Sequence, residues 1–306
     1  MSNAITTVIV THNRKNLLIE GLTKHCGQTL QPARLLIVDN ASTDGTREML
    51  ATGGWLDRPG VELLSLPENT GGAGGFAAGL KYAIESGAEW VWMMDDDAEP
   101  HPDALEKLLS RQLSPHNIYG SVAVAGSLLA WPMVPEQGKP EDTIYQIDAL
   151  PDELCVQFIP FLGILIHATM VRRIGLPDVG FFLAADDVEY CLRARRMGAK
   201  VNLIGSSRIT HPASVRYRFW LPWRPFYSLK LPPWKRYYDV RNRLLIARMY
   251  YGAAFWYSTI PGSFLRLFAT LWHEGNRWAQ CKAFAAGMID GLLLRKGKRH
   301  EKWGIK

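Results

Sequence analysis

Apolar positions in the first hundred residues fall into short unbroken runs: ITTVIVT (5–11), RLLIVDN (34–40), VELLSL (61–66) and EWVWMMD (89–95). None alternates apolar with polar, so each predicts a strand of a parallel sheet covered on both faces. The intervening segments have helical spacing: 14–26, a stretch opened by STDGT, GGFAAGLKYAIESG ending at Gly87, and 101–112. Repeated βα units of this kind predict an α/β fold with an open, doubly wound, mostly parallel sheet. Residues 120–210 are less regular; SVAVAGS, CVQFIPFLGILI and KVNLI read as strands and 186–198 as a helix. From 212 the chain turns rich in Trp, Tyr, Arg and Pro and then becomes helical. The expected organisation is a sheet domain over 1–212 and a helical, aromatic-rich basic extension over 213–306.

Charge sharpens that boundary. Residues 212–306 hold 18 Lys and Arg against 4 Asp and Glu, and 7 of the 11 tryptophans, whereas the preceding residues are net acidic. So basic a tail implies an anionic partner, a membrane surface or nucleic acid. The start of the chain passes directly into a strand pattern and reads as lacking a leader. The most apolar stretch, AAFWYSTIPGSFLRLFATLW, is broken by Pro261 and Arg266, so no membrane span is expected. Cys26, Cys155, Cys191 and Cys281 form no C-x-x-C and read as reduced, buried thiols of a cytoplasmic protein.

In doubly wound sheets, ligands sit beyond the carboxyl ends of the strands. The residues that follow the four runs are THNR, DNASTD, PENTGGAGG and DDDAEP. Asp95, Asp96 and Asp97 stand side by side. Two carboxylates ~6 Å apart repel by roughly 3 kcal/mol at an effective dielectric of about 20, so a positive group is required. On an extended strand end Asp95 and Asp97 point to one side and Asp96 to the other. Such a pair suits Mg2+ or Mn2+, which keep waters and complete their shells with phosphate oxygens. NTGGAGGFAAGL matches a dinucleotide-binding fingerprint by letters, but it follows the third strand, whereas the fingerprint opens the first βα turn. It reads better as a tight loop bringing backbone to a ligand at a helix N-terminus. Asp186 and Asp187 open a helix; one suffices as a cap, leaving the other as a candidate general base, with Glu189 reinforcing the first turn. His211, in RITHP, is a candidate metal ligand.

The pieces VIVTHNR, LLIVDNASTDGT, NTGGAGGFAAGL, WVWMMDDDAEP, ADDVEYCLRARRMG and ITHP, in that order over about 5–212, resemble the family 2 glycosyltransferases of GT-A fold. The glycine-rich loop, the triple aspartate, DDVEY and RYYDVRNRLLIARMY (236–250) look most like bacterial galactofuranosyl- and rhamnosyltransferases. The resemblance implies that Thr11, Asn13 and Arg14 line a nucleotide pocket and that Asp39 and Asn40 hold the base or ribose. Asn69, Gly74 and Gly75 would border the donor sugar, with Asp95 and Asp96 also on the donor. Asp95, Asp97 and His211 would bind Mn2+ or Mg2+ gripping the diphosphate. Asp187 would be the catalytic base, with Asp186, Phe161 and Gly163 on the acceptor side. Ala185 departs from the tryptophan that galactofuranosyltransferases carry before the aspartate pair, a position near the acceptor.

The expected reaction is inverting, metal-dependent transfer from a UDP- or dTDP-sugar to a hydroxyl of a polyprenyl-linked or glycan acceptor. The basic aromatic tail would lie on the inner face of the cell membrane. Self-association is left open. Two rivals are a sugar nucleotidyltransferase and a non-catalytic nucleic-acid-binding module. THNRKN lacks the glycine of a triphosphate loop, which counts against the first. The acidic first two-thirds and the absence of a recognised nucleic-acid motif count against the second.

Overall fold

The structure, a computed structural model, describes residues 5–221 and 224–306. The first four residues, on which the leader reading began, and Pro222 and Trp223 of the aromatic stretch lie outside the described residues. The chain divides into two units: residues 1–177 with 190–213, and residues 178–189 with 214–306. A single cut near 212 does not anticipate this, because the segment 178–189 groups with the C-terminal residues.

The first unit alternates β1 (Ile5–Thr11), α1 (Lys15–Cys26), β2 (Arg34–Asp39), α2 (Thr46–Thr52), β3 (Val61–Ser65), α3 (Gly71–Glu85) and β4 (Trp90–Asp95). Then come β5 (Glu99–Pro100), α4 (Ala104–Leu109), β6 (Ile118–Ala125), β7 (Leu128–Met133), β8 (Ile144–Gln146), β9 (Glu153–Cys155), β10 (Leu162–His167) and α5 (Ala168–Ile174). Helix α6 (Asp186–Arg196) and β11 (Val201–Thr210) follow. The sheet order is β3-β2-β1-β4-β10-β6-β11-β5. Strands β1 to β4 are parallel neighbours. The sheet then becomes mixed, because β10 enters antiparallel between β4 and β6, while β6 and β11 are parallel. The run CVQFIPFLGILI is not one strand; it splits between β9 and β10.

Unbroken apolar runs follow from two cores, one on each face. Val8, Val10, Leu36, Val38, Val91 and Met93 join one cluster, and Ile5, Ile9, Leu35, Ile37, Trp92 and Met94 the other. Successive side chains alternate faces, so both must be apolar. The helix expected from Gly74 begins three residues earlier, at Gly71, so that most of the glycine-rich loop lies within it. A Cβ on Gly75 would stand 2.5 Å from Val10 Cγ1, and one on Gly79 would stand 2.5 Å from Val8 Cγ1 and 2.8 Å from Val38 Cγ2. These glycines seat α3 directly on β1 and β2, which outweighs their intrinsic cost of roughly 0.5–1 kcal/mol each in a helix.

The second unit contains a hairpin of β12 (Arg216–Leu221) and β13 (Arg224–Leu229), then α7 (Pro233–Tyr250), α8 (Ile260–His273) and α9 (Arg277–Leu292). Its core gathers Phe182, Tyr237, Tyr238, Ala283, Ala286 and Ile305. Fully buried Asp290 accepts hydrogen bonds from Tyr237 Oη (2.6 Å), Trp303 Nε1 (2.9 Å) and Arg299 Nε (3.0 Å), tying the chain end to the helices. All four cysteines are free thiols, but only Cys191 is buried and Cys26 is exposed, which corrects the expectation of four buried thiols.

Gly79→Ala is expected to force α3 off the sheet, destabilising the fold by about 1–3 kcal/mol and lowering Tm by several degrees. Thermal denaturation followed by circular dichroism checks this; an unchanged Tm contradicts the seating argument.

Candidate active site

Strands β1 and β4 are adjacent and in parallel register, Val10 opposite Asp95, so their carboxyl ends emerge together. Strand β4 stops at Asp95, and Asp96 and Asp97 enter a turn. The expected alternation, with Asp97 on the side of Asp95, therefore does not carry through; Asp96 and Asp97 instead share one cation. Arg14 Nη1 lies 3.1 Å from Asp96 Oδ1 and 2.9 Å from Asp97 Oδ2, and Thr11 Oγ1 donates to Asp96 Oδ2 at 2.7 Å. Burial pushes the Asp96 carboxyl above the usual carboxylate range, against the opposing pull of Arg14 and Thr11. Asp97 is also partly buried, which raises its pKa, but His211 and Arg14 together outweigh that and hold it below the usual range.

The second oxygen of Asp97 is the notable atom. Oδ1 is buried and makes no hydrogen bond among the described residues, yet it faces His211 Nε2 at 3.2 Å. His211 Nδ1 lies 2.8 Å from the carbonyl of Pro212, so Nδ1 is the donor there. Either a proton on Nε2 or a cation between the two atoms makes the contact with Asp97 favourable. Adjacent ligands of a cation with bonds of about 2.1 Å stand ~3 Å apart, so the pair fits Mg2+ or Mn2+. No group of three or more His, Cys, Asp or Glu converges among the described residues, so Asp95 does not complete the expected triad. A small cation that keeps waters and binds substrate phosphates needs only one or two protein ligands.

The neighbouring rim is built from the other expected residues, and mostly by their bonds to the protein itself. Asn13, with φ of 54°, receives the Thr43 amide on its Oδ1 (2.7 Å) and donates its own amide to Ser42 Oγ (3.0 Å), joining the loop after β1 to the loop after β2. Asp39, expected on the base or ribose, is fully buried; it accepts from Ser42 N (2.9 Å) and Arg47 Nε (2.6 Å). Asn40, also buried, accepts from Thr70 N (2.9 Å) and donates to Gly71 O (2.9 Å). Asn69 Oδ1 accepts the Gly71 amide at 2.8 Å and so starts α3. Asp39 and Asn40 thus hold the walls, and Gly74 and Gly75 sit inside α3 and not on a sugar-facing loop. His12, whose Nδ1 lies 2.8 Å from Asn40 O, and Arg47 belong to the same rim. Sequence reasoning missed both, since neither completes a recognisable pattern.

Phe161 and Gly163, expected on the acceptor side, are core positions. The Phe161 ring packs 4.6 Å from Phe76 and 6.0 Å from Tyr190, and a Cβ on Gly163 would stand 2.4 Å from Ile209 Cδ1. Phe161 directly precedes β10 and Gly163 lies within it.

In the second unit, Asp186 is buried and Asp187 half-buried at the start of α6. Burial raises both carboxyls, and the charge of Asp187 raises Asp186 further. Asp187 Oδ1 accepts the Val188 amide at 2.7 Å. Glu189 accepts Tyr250 Oη at 2.7 Å. A raised carboxyl at a helix start has the character of a general base working near neutral pH.

A model of the family "Glycosyl transferase family 2" matches residues 6–156. Galactofuranosyltransferase GlfT1 of Mycolicibacterium smegmatis is 30% identical over 256 residues, 79% of this chain and 82% of that protein. The chain belongs to glycosyl transferase family 2. This glycosyltransferase is also 25% identical over 263 residues to dTDP-rhamnosyl transferase RfbF of Shigella flexneri, covering 81% of each. Its fold is GT-A-like: mannosyltransferase PcManGT of Pyrobaculum calidifontis, solved with GDP-Man and Mn2+, superposes with a TM-score of 0.59 at 15% identity over 94% of this chain and 87% of that one. Family membership decides for glycosyl transfer over nucleotidyl transfer or nucleic-acid binding.

Arg14→Met leaves buried Asp96 without its cation. With Arg14 partly exposed, the expected loss is roughly 1–2 kcal/mol. Asp96 then moves further up and Asp97 loses part of its depression. Both effects make the deficit largest at neutral pH and smaller as pH falls and the carboxylates protonate. Urea denaturation at pH 7 and pH 4 reads it; a deficit independent of pH contradicts the pairing.

Proposed function

We propose that the protein is an inverting, metal-dependent glycosyltransferase moving galactofuranose or rhamnose from a UDP- or dTDP-sugar to a hydroxyl of a lipid-linked or polysaccharide acceptor in cell-surface glycan synthesis. The observation that carries this reading is buried Asp97 Oδ1 facing His211 Nε2 at 3.2 Å, beside Arg14, in a family 2 chain. Asp97 and His211 would hold the ion, and Arg14 would add charge for the donor diphosphate. Mn2+ or Mg2+, when bound, neutralises charge on the departing nucleoside diphosphate. Relatives whose names state galactofuranosyl and dTDP-rhamnosyl transfer motivate the donors, and the Mn2+ bound to the Pyrobaculum enzyme motivates the metal.

Asp187 takes the acceptor proton as that hydroxyl oxygen bonds to the anomeric carbon. The bond from that carbon to the diphosphate breaks on the opposite face, so configuration inverts. The first unit serves the nucleotide sugar and the second the acceptor and the membrane. No helix among the described residues is long and apolar enough to cross a membrane. Phe264, Phe268 and Trp272, four residues apart on α8, are each at least half exposed, as are Trp256, Tyr257 and Trp278. Aromatic residues on a basic unit suit the interface of an anionic bilayer, where each Lys or Arg contributes about 1 kcal/mol.

Asp97→Ala is expected to weaken Mn2+-dependent UDP binding at least tenfold by calorimetry; unchanged binding ends the metal assignment. Asp187→Asn should keep nucleotide binding and lose most turnover. With the Asp187 carboxyl raised by burial, wild-type kcat should fall on acidification at a pH above the ordinary carboxylate range, as the base protonates. Donors are screened by thermal shift with UDP-galactofuranose, UDP-hexoses and dTDP-rhamnose plus Mn2+.

The membrane reading predicts sedimentation with phosphatidylserine vesicles at low salt, weakened by Phe268→Ser with Trp272→Ser. Absence of binding to these vesicles overturns it.

A further inference from the structure

The turn before α6 is strained. Phe182, Ala184 and Ala185 have φ of 63°, 66° and 61°, the left-handed region that non-glycine residues avoid. Each such residue costs of order 1–2 kcal/mol, and three within four positions persist only if their surroundings over-determine them. The two residues that follow are Asp186 and Asp187.

The restraint comes from α7. The two N–H groups of Asn242 Nδ2 are shared among three carbonyls of the turn, Phe181 O at 3.0 Å, Leu183 O at 2.8 Å and Ala184 O at 2.7 Å. Its Oδ1 accepts Arg241 Nε at 2.8 Å, which fixes the amide orientation. Arg241 Nη2 donates to Phe181 O at 2.6 Å and Gly180 O at 3.2 Å, and Nη1 to Gly297 O at 2.6 Å. Both side chains are fully buried. Tyr238, one turn earlier, stacks on Phe182 with ring centroids 5.0 Å apart. Two turns after Asn242, Tyr250 Oη reaches Glu189 at 2.7 Å. One face of α7 (238, 241, 242 and 250) thus grips the chain on both sides of the aspartate pair. A buried guanidinium and a buried amide, bonded to each other and otherwise aimed at the carbonyls of Gly180, Phe181, Leu183, Ala184 and Gly297, are a large commitment for a turn of ordinary function.

We infer that Arg241, Asn242 and Tyr250 are positioning residues, which hold the strained 181–185 turn and Glu189 so that the Asp186–Asp187 carboxylates are presented in one fixed geometry. This rests on the reading of Asp187 as the base. The inference adds that catalytic geometry in the first turn of α6 is set from α7, by hydrogen bonds to main-chain oxygens of the preceding turn and to Glu189. Burial and then the charges of Asp187 and Glu189 raise the Asp186 carboxyl, the Arg241 guanidinium reaches the carbonyls of Gly180 and Phe181, and Tyr250 approaches Glu189 from α7.

The test uses the full chain with Mn2+, measuring nucleoside diphosphate release from UDP-galactofuranose or dTDP-rhamnose, UDP binding by calorimetry, and kcat against pH. Asn242→Ala is expected to lower kcat at least thirtyfold with UDP binding within twofold of wild type. Its acid limb should shift to lower pH as the loosened carboxylates hydrate. Arg241→Lys and Tyr250→Phe should move kcat and the limb the same way by smaller factors; they decide the matter if Asn242→Ala does not fold. Asp187→Asn is run alongside. If it retains turnover, the reading of Asp187 falls. If it is inactive while Arg241→Lys, Tyr250→Phe and any folded Asn242→Ala keep wild-type kcat and pH profile, the positioning inference alone is overturned.

Discussion

The contact on which the first unit's chemistry depends is that of Arg14 with Asp96 and Asp97. Strand β4 is buried on both faces and ends in three carboxylates, an arrangement that repels itself unless cations are supplied. Arg14 supplies one from the loop after β1, and His211 approaches from the end of β11. Because β1 lies beside β4, that loop can only fall over the acidic turn. The sheet topology therefore determines that the neutralising groups arrive. His211 faces Asp97 Oδ1, the oxygen at which a divalent ion is proposed.

The rim shows how little of such a site is free to touch a ligand. Asp39, Asn40, Asn69 and Asn13 each spend their polar atoms on loops and on the start of α3. Buried polar groups must be satisfied, and here the satisfaction is internal. Their contribution is to rigidity: three loops and a helix start are bound into one edge. Arg14, by contrast, stays exposed while it pairs with Asp96 and Asp97.

The second unit solves a different problem, that of keeping carboxylates buried without neutralising them. Asp186 and Asp187 are raised because burial disfavours their charge, and Glu189 adds to the pressure. The compensation lies in the scaffold, where α7 holds the preceding turn by its carbonyls. Keeping the restraint off the carboxylates leaves their proton affinity high, which a base requires and an ion pair would remove.

Much of this was legible in the chain. The unbroken apolar runs specify buried parallel strands because both faces of a covered sheet exclude water, and the polar residues after each run specify the ligand edge. The triple aspartate announced a need for positive charge. What the sequence could not determine is which groups meet. Arg14 lies some eighty residues from its partners, and the glycines read as a sugar-facing loop are the close-packed seat of α3. Phe161 and Gly163 are core, and Asn242 owes its role to three carbonyls about sixty residues away. Periodicity is a local property, set by backbone geometry within a few residues. Pairing between distant groups is decided by strand order and by the need to satisfy every buried polar atom, and only the folded chain settles both.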